Sequence, residues 1–96
     1  VFVAGTTGYD YASMTMPHSI EEQTANALAT ISNALAQAGS SLNDVVRVNY
    51  IVPDAQDWPA CWPITSKAFS VAKPAATMIS AQLQNSEMKI EIEVTV

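Results

Sequence analysis

Glu91 and Glu93 alternate in a stretch near the C-terminus that reads as a strand, which puts both carboxylates on one side of it. A carboxylate held in a cleft away from water has its charged form disfavoured, so its pKa rises and it can exchange protons during a reaction. On an open strand face the same pair is only a solvated surface. The other reactive side chains stand alone. Cys61 and His18 are each the sole residue of their type. That excludes an intrachain disulfide, a thiolate zinc site and a His-rich metal site within one chain, and it leaves a Ser-His-Asp or Cys-His arrangement without a third member. Thr6 and Thr7 offer hydroxyls without the glycine and lysine pattern of a phosphate loop. Trp58 and Trp62 lie about one helical turn apart and can line an apolar pocket, with core packing the stronger expectation for Trp58. Neither a metal nor a cofactor is expected.

Composition narrows the partners. The 96 residues are 49% hydrophobic and carry a formal net charge of -5. The four cations, Arg47, Lys67, Lys73 and Lys89, are scattered, whereas a nucleic-acid surface gathers Lys and Arg on one face. Nucleic acid and anionic membranes are therefore not expected partners, and no apolar run reaches the roughly 18 residues of a membrane span. With no basic-then-apolar signal segment and one cysteine, a reducing, cytoplasmic setting fits. Residues 1–96 read as a single domain, small enough for its stability to depend partly on partner subunits.

These side chains must be positioned by a short series of elements. Val1 to Ala4 reads as a buried strand ending at Gly5, followed by a long loop, rich in loop formers, to Pro17. Ser19 and Glu22 have the spacing of a capping box, and Leu28, Ile31, Leu35 and Ala38 then mark a helical stripe stopped at Gly39. Val45 to Val52 reads as a strand with Val46, Val48, Tyr50 and Val52 on one face and Arg47 and Asn49 on the other; Pro53 and Asp54 end it. A second helix is expected from an Asp57 cap to Phe69 or Ala72, with Pro59 in its first turn and Pro63 as a kink. Ala75 to Leu83 and Lys89 to Val96 complete the set as strands, joined by a turn over Gln84 to Glu87.

The order β-α-β-α-β-β makes both helices crossovers, and crossovers of one hand running the same way place both on one face of the sheet. The fold class is α+β. The other sheet face, with Arg47, Asn49, Thr77 or Met78, Glu91 and Glu93, stays uncovered and suits association with further copies of the chain.

Several segments, in order and with similar spacing across essentially the whole chain, resemble the RidA/YjgF family of reactive-intermediate deaminases. They are Val1-Phe2-Val3-Ala4-Gly5, Gln23 through Gly39, Leu42-Asn43-Asp44-Val45-Val46, Pro74-Ala75-Ala76-Thr77 and Lys89-Ile90-Glu91-Ile92-Glu93. The resemblance implies a chorismate-mutase-like fold, a homotrimer with clefts at the subunit interfaces, and a further strand preceding Val1. It matches Glu91 to a cleft glutamate that helps place water, Gly5 to a glycine at the cleft floor, and Trp62 to a place near a polar cleft position. Tyr9 could cap the cleft. Met78 stands where the family often has cysteine, and would contribute apolar surface in place of a nucleophile.

In the deaminating members, an arginine two residues after the proline of the penultimate strand grips the substrate carboxylate. Counting from Pro74, that position here is Ala76. Lys73 lies ~10 Å away along an extended chain and lacks the planar fork of a guanidinium. The expectation is a trimer binding a small molecule less anionic than an amino-acid imine, with Glu91 orienting water if the cleft is catalytic. A ligand-binding or holdase-like trimer without chemistry is the alternative, favoured by the missing arginine. An endoribonuclease or translation inhibitor, named for some relatives, fits the acidic balance less well.

Overall fold

The computed structural model describes all residues from Val1 to Val96. Strand β1 (Phe2–Thr7) leads to helix α1 (Ile20–Gln37), then β2 (Arg47–Ile51), α2 (Trp58–Ala68), β3 (Ala75–Ile79) and β4 (Glu91–Thr95), with single turns of 3-10 helix before β2 and α2. The strands form one mixed sheet in the order β1-β4-β2-β3. Strand β4 is antiparallel to both β1 and β2, while β2 and β3 run parallel. The expected α+β order therefore holds, with a helical layer on one side of the sheet.

Helix α1 is held at both ends. The Ser19 hydroxyl accepts from the Glu22 N–H at 3.1 Å, although the return bond of a capping box is not made. At the other end Gly39 takes φ +76, a left-handed conformation that glycine adopts without strain. Its N–H donates to Ala36 and that of Ser40 to Leu35, so two end carbonyls are satisfied. Leu28, Ile31 and Leu35 from α1 pack on Val48 and Tyr50 of β2 and Ile92 and Val94 of β4, with Cys61 and Phe69 closing the core. Ala38, expected on this stripe, is exposed because it is the C-cap.

The strands depart from expectation where the chain bends. Strand β1 does not stop at Gly5 but runs through it to Thr7; Phe2, at 86% accessible, and Ala4 and Gly5 are exposed, and only Thr6 and Thr7 are buried. Between Val3 and Thr6 it advances three residues while β4 advances from Val94 to Ile92, so Gly5 lies in a bulge. Val46 is 61% exposed and does not share the face of Val48. Its N–H donates to Thr95, the residue that Arg47 faces in register, so two residues oppose one and the alternation slips. Strand β3 ends at Ile79, not Leu83, and β4 begins at Glu91, not Lys89. Helix α2 ends at Ala68, and Asp57 makes no side-chain cap; Asp54 caps the preceding turn by accepting from Gln56 at 3.0 Å. Pro63 lies inside α2, as expected.

Candidate functional site

Glu91 opens β4 opposite Thr7 on one side and Ile51 on the other. Ile92 and Val94 face the core, so Glu91 and Glu93 face away from the helices. The Glu91 side chain lies directly over Gly5: a Cβ built there would stand 2.8 Å from the Glu91 Cδ and 3.1 Å from its Oε1. Only a residue without a Cβ lets the carboxylate rest on the strand. Gly5 is therefore where close approach is needed, and not the strand terminator that its position suggested.

Tyr9 completes this group. It is half-buried and shares with Gly5, Thr7, Met88 and Glu91 an open cleft of about 640 Å³. Its hydroxyl receives a long hydrogen bond, 3.5 Å, from the Asn85 side chain. Tyr9 also borders a groove along α1.

The cleft depends on a residue that the sequence reading passed over. Gln23 is fully buried on α1, where its amide nitrogen donates to the carbonyls of Pro17 (2.7 Å) and Glu87 (2.9 Å) and its oxygen accepts from the Lys89 N–H (2.8 Å). One side chain thus ties the loop that carries Tyr9 to the segment that delivers Glu91. Gly8 packs so tightly against this residue that a Cβ would come within 2.4 Å of the Gln23 Cα. The available signal was a polar residue four positions before Ala27 on the buried face of an amphipathic helix.

Trp62, Ala76 and Met78 form a second group elsewhere. Ala76 pairs with Val48 and Met78 with Tyr50, so both point to the helical side of the sheet, whereas Thr77, opposite Asn49, belongs to the open face. This resolves the open choice between Met78 and Thr77. Ala76 and Trp62 line a pocket of about 160 Å³ between β3 and α2, with Tyr50, Trp58, Thr65 and Phe69 among its walls. Met78 is half-buried and packs against the core beside it. Trp58, as expected, is a packing residue, its ring 4.7 Å from that of Tyr50.

Two shifted groups sit near this pocket. Burial pushes the Tyr50 phenol up to about 12, partly offset by a hydrogen bond with the Thr65 side chain. Burial also raises the Cys61 thiol, which donates to the Trp58 carbonyl at 3.1 Å. A buried thiol held neutral in this way is a packing group and a poor nucleophile. Lys73 is exposed in a left-handed turn at φ 47, and β3 starts only at Ala75. Strand alternation consequently does not govern its direction, and it does not line the Ala76 pocket.

Within one chain the two groups do not meet. Glu91 and Ala76 lie on opposite faces of the sheet, with β2 between their strands. The open face itself carries Asn49 bonded to Glu93 at 2.9 Å, flanked by the exposed Phe2, Val46 and Ile79. No helix is long and apolar enough to cross a membrane.

Comparison with known proteins places this geometry among relatives. The profile of the family described as endoribonuclease L-PSP matches residues 1–96. A RutC family protein of Pyrococcus abyssi is 32% identical over 94 residues, covering 97% of this chain and 74% of that protein. The mitochondrial protein mmf1 of Schizosaccharomyces pombe is 32% identical over 78 residues, which cover 78% of this chain and 48% of the relative. The crystal structure of a YjgF/YER057c/UK114 family member from Mycobacterium tuberculosis superposes with a TM-score of 0.86 at 35% identity, covering 97% of this chain and 74% of that one.

Proposed function

The chain belongs to the endoribonuclease L-PSP family, the group of the YjgF and RidA proteins, and from that premise we propose that it binds a small, imine-type molecule without a carboxylate in clefts shared between copies of itself. The carrying observation is the division of the site residues. Gly5, Tyr9 and Glu91 form one half-site and Trp62, Ala76 and Met78 another, on faces of the sheet that one chain cannot bring together. In a homotrimer, the first half of one copy meets the second half of its neighbour.

In that cleft Glu91 holds a water beside the C=N carbon of the ligand. The water oxygen adds to the carbon, the nitrogen takes up the protons and leaves as ammonia, and a carbonyl compound remains. Gly5 keeps the carboxylate flat against the strand, and Gln23 fixes the segment that presents it. Ala76 offers a methyl group where the deaminating relatives offer a guanidinium, so nothing there pairs with an anionic substituent. The cleft accordingly favours ligands less anionic than amino-acid imines.

Ammonia release from freshly generated imines tests the reading. Turnover of carboxylate-free imines is expected, with little on 2-aminoacrylate; Ala76→Arg gains activity on 2-aminoacrylate. Glu91→Gln lowers turnover by about 10²-fold or more. Activity of the parent chain on 2-aminoacrylate would mean that another group, such as Lys73, grips the carboxylate.

The methyl group at Ala76 also favours a second reading, a trimer that binds ligand without turning it over. Ligand binding with no turnover in either the parent or Glu91→Gln would select it. The family's nuclease name is the least supported reading, since the four cations are dispersed along an acidic chain. A cytoplasmic setting is part of the proposal, tested by fractionation, because three relatives are named as mitochondrial.

A further inference from the structure

The pocket between α2 and β3 is built by a single chain. Its floor is buried: Val48 is inaccessible, and Tyr50, Thr65 and Phe69 are each at most 6% exposed. Its rim is open, with Ala76 and Ser66 exposed and Trp62 60% accessible. The space exists because α2 does not close over β3, and because Ala76 supplies only a methyl group where a longer side chain would fill it.

Four aromatic rings, Tyr50, Trp58, Trp62 and Phe69, contribute to the lining. The Thr65 hydroxyl on the floor already donates to the Trp62 carbonyl at 3.1 Å, and no fully buried side-chain polar atom lacks a partner. None of the nine lining residues is charged. A charged group entering here would lose its hydration with nothing to replace it. An organic cation gains from aromatic faces, but Lys67 and Lys73 adjoin the lining residues Ser66 and Pro74 in the chain, against the one carboxylate of Asp57 beside Trp58, so flanking positive charge predominates and disfavours a positive ligand. An uncharged ring gains both apolar burial and ring–ring contact.

The volume sets the size. At about 160 Å³ the pocket matches one ring, since an apolar cavity of about 150 Å³ takes a benzene molecule. We propose that this pocket receives a single uncharged aromatic ring, so that the ligands of the cleft carry an aryl substituent, with Trp62 and Ala76 as the residues that set this specificity. The pocket stands without the shared cleft; only its link to turnover rests on that reading.

NMR titration of the full chain, following the indole N–H signals of Trp58 and Trp62, tests it with five probes. These are benzyl alcohol, cyclohexylmethanol, 2-naphthalenemethanol, benzoate and benzyltrimethylammonium. Benzyl alcohol is expected to shift both indoles and to bind about fivefold tighter than any of the others. Ala76→Leu, which fills the space, abolishes that binding; if this variant fails to fold, the probe series on the parent chain decides. Equal or tighter binding of the saturated, two-ring or charged probes overturns the proposal, and so does the absence of any indole shift. Glu91→Gln separates the two claims, because it leaves ring binding intact. Turnover lost in Glu91→Gln without ring binding in the parent sinks only the aryl pocket. Ring binding with no turnover sinks only the hydrolytic reading.

Discussion

At the scale of single residues, the contact between Gly5 and Glu91 connects sequence to chemistry most directly. The backbone at Gly5 is not left-handed, so alanine is sterically allowed by the chain itself; what it meets is the carboxylate, at 2.8 Å. Gly5→Ala is therefore expected to displace the Glu91 side chain, lowering turnover by about tenfold or more while the melting temperature changes little. An unaltered rate would remove Glu91 from the reacting geometry. Tyr50 gives a test that needs no substrate. Its phenol titrates near 10 in the unfolded chain and at about 12 in the folded one. The fold thus binds the proton more tightly, and this contribution to stability is fully present below pH 10. It is lost as pH rises from about 10 to about 12, by roughly 1.4 kcal/mol per unit at most. Urea unfolding of the parent and Tyr50→Phe at pH 9 and pH 11 is expected to show a steeper loss in the parent.

At the scale of elements, stability and site geometry share Gln23. Gln23→Leu leaves the Lys89 N–H and two carbonyls without their partner, and is expected to cost about 3 kcal/mol by urea unfolding. Ser19→Ala, which removes an exposed helix cap, costs about 1 kcal/mol in the same measurement. The comparison separates a buried clamp from an ordinary cap.

Helix α1 was legible in the sequence because its signals are local: Ser19, the Leu28–Ile31–Leu35 spacing and Gly39 all act within a turn or two. The alternation of Ile92 and Val94 with Glu91 and Glu93 was legible for the same reason. Val46 was not, since its exposure follows from a bulge set by Thr95 on another strand. Gly5 as a strand interior and Gln23 as a clamp also depend on residues more than 60 positions away, which no periodicity encodes. Glu91 and Trp62 stood out by residue type and spacing, whereas Gly5, Ala76 and Met78 came from family spacing, and only the fold divides the candidates into two groups.

At the scale of the whole molecule, the sheet face opposite the helices carries Phe2, Val46 and Ile79 exposed around the Asn49–Glu93 hydrogen bond. A mixed polar and apolar face of this kind is suited to burial against copies of itself, and sedimentation is expected to find three chains per particle. The central claim is more specific than trimer formation: Glu91 of one copy faces the Ala76 pocket of the next. Thiol cross-linking tests it without any knowledge of the ligand, because Cys61 is buried and does not compete. Chains carrying Glu91→Cys are mixed with chains carrying Ala76→Cys, allowed to exchange subunits, and treated with a short bis-maleimide. A covalent dimer that forms in the mixture, and not in either variant alone, is the expected result. Cross-links confined to one variant, or none in a mixture that sedimentation shows to be assembled, would contradict the shared cleft.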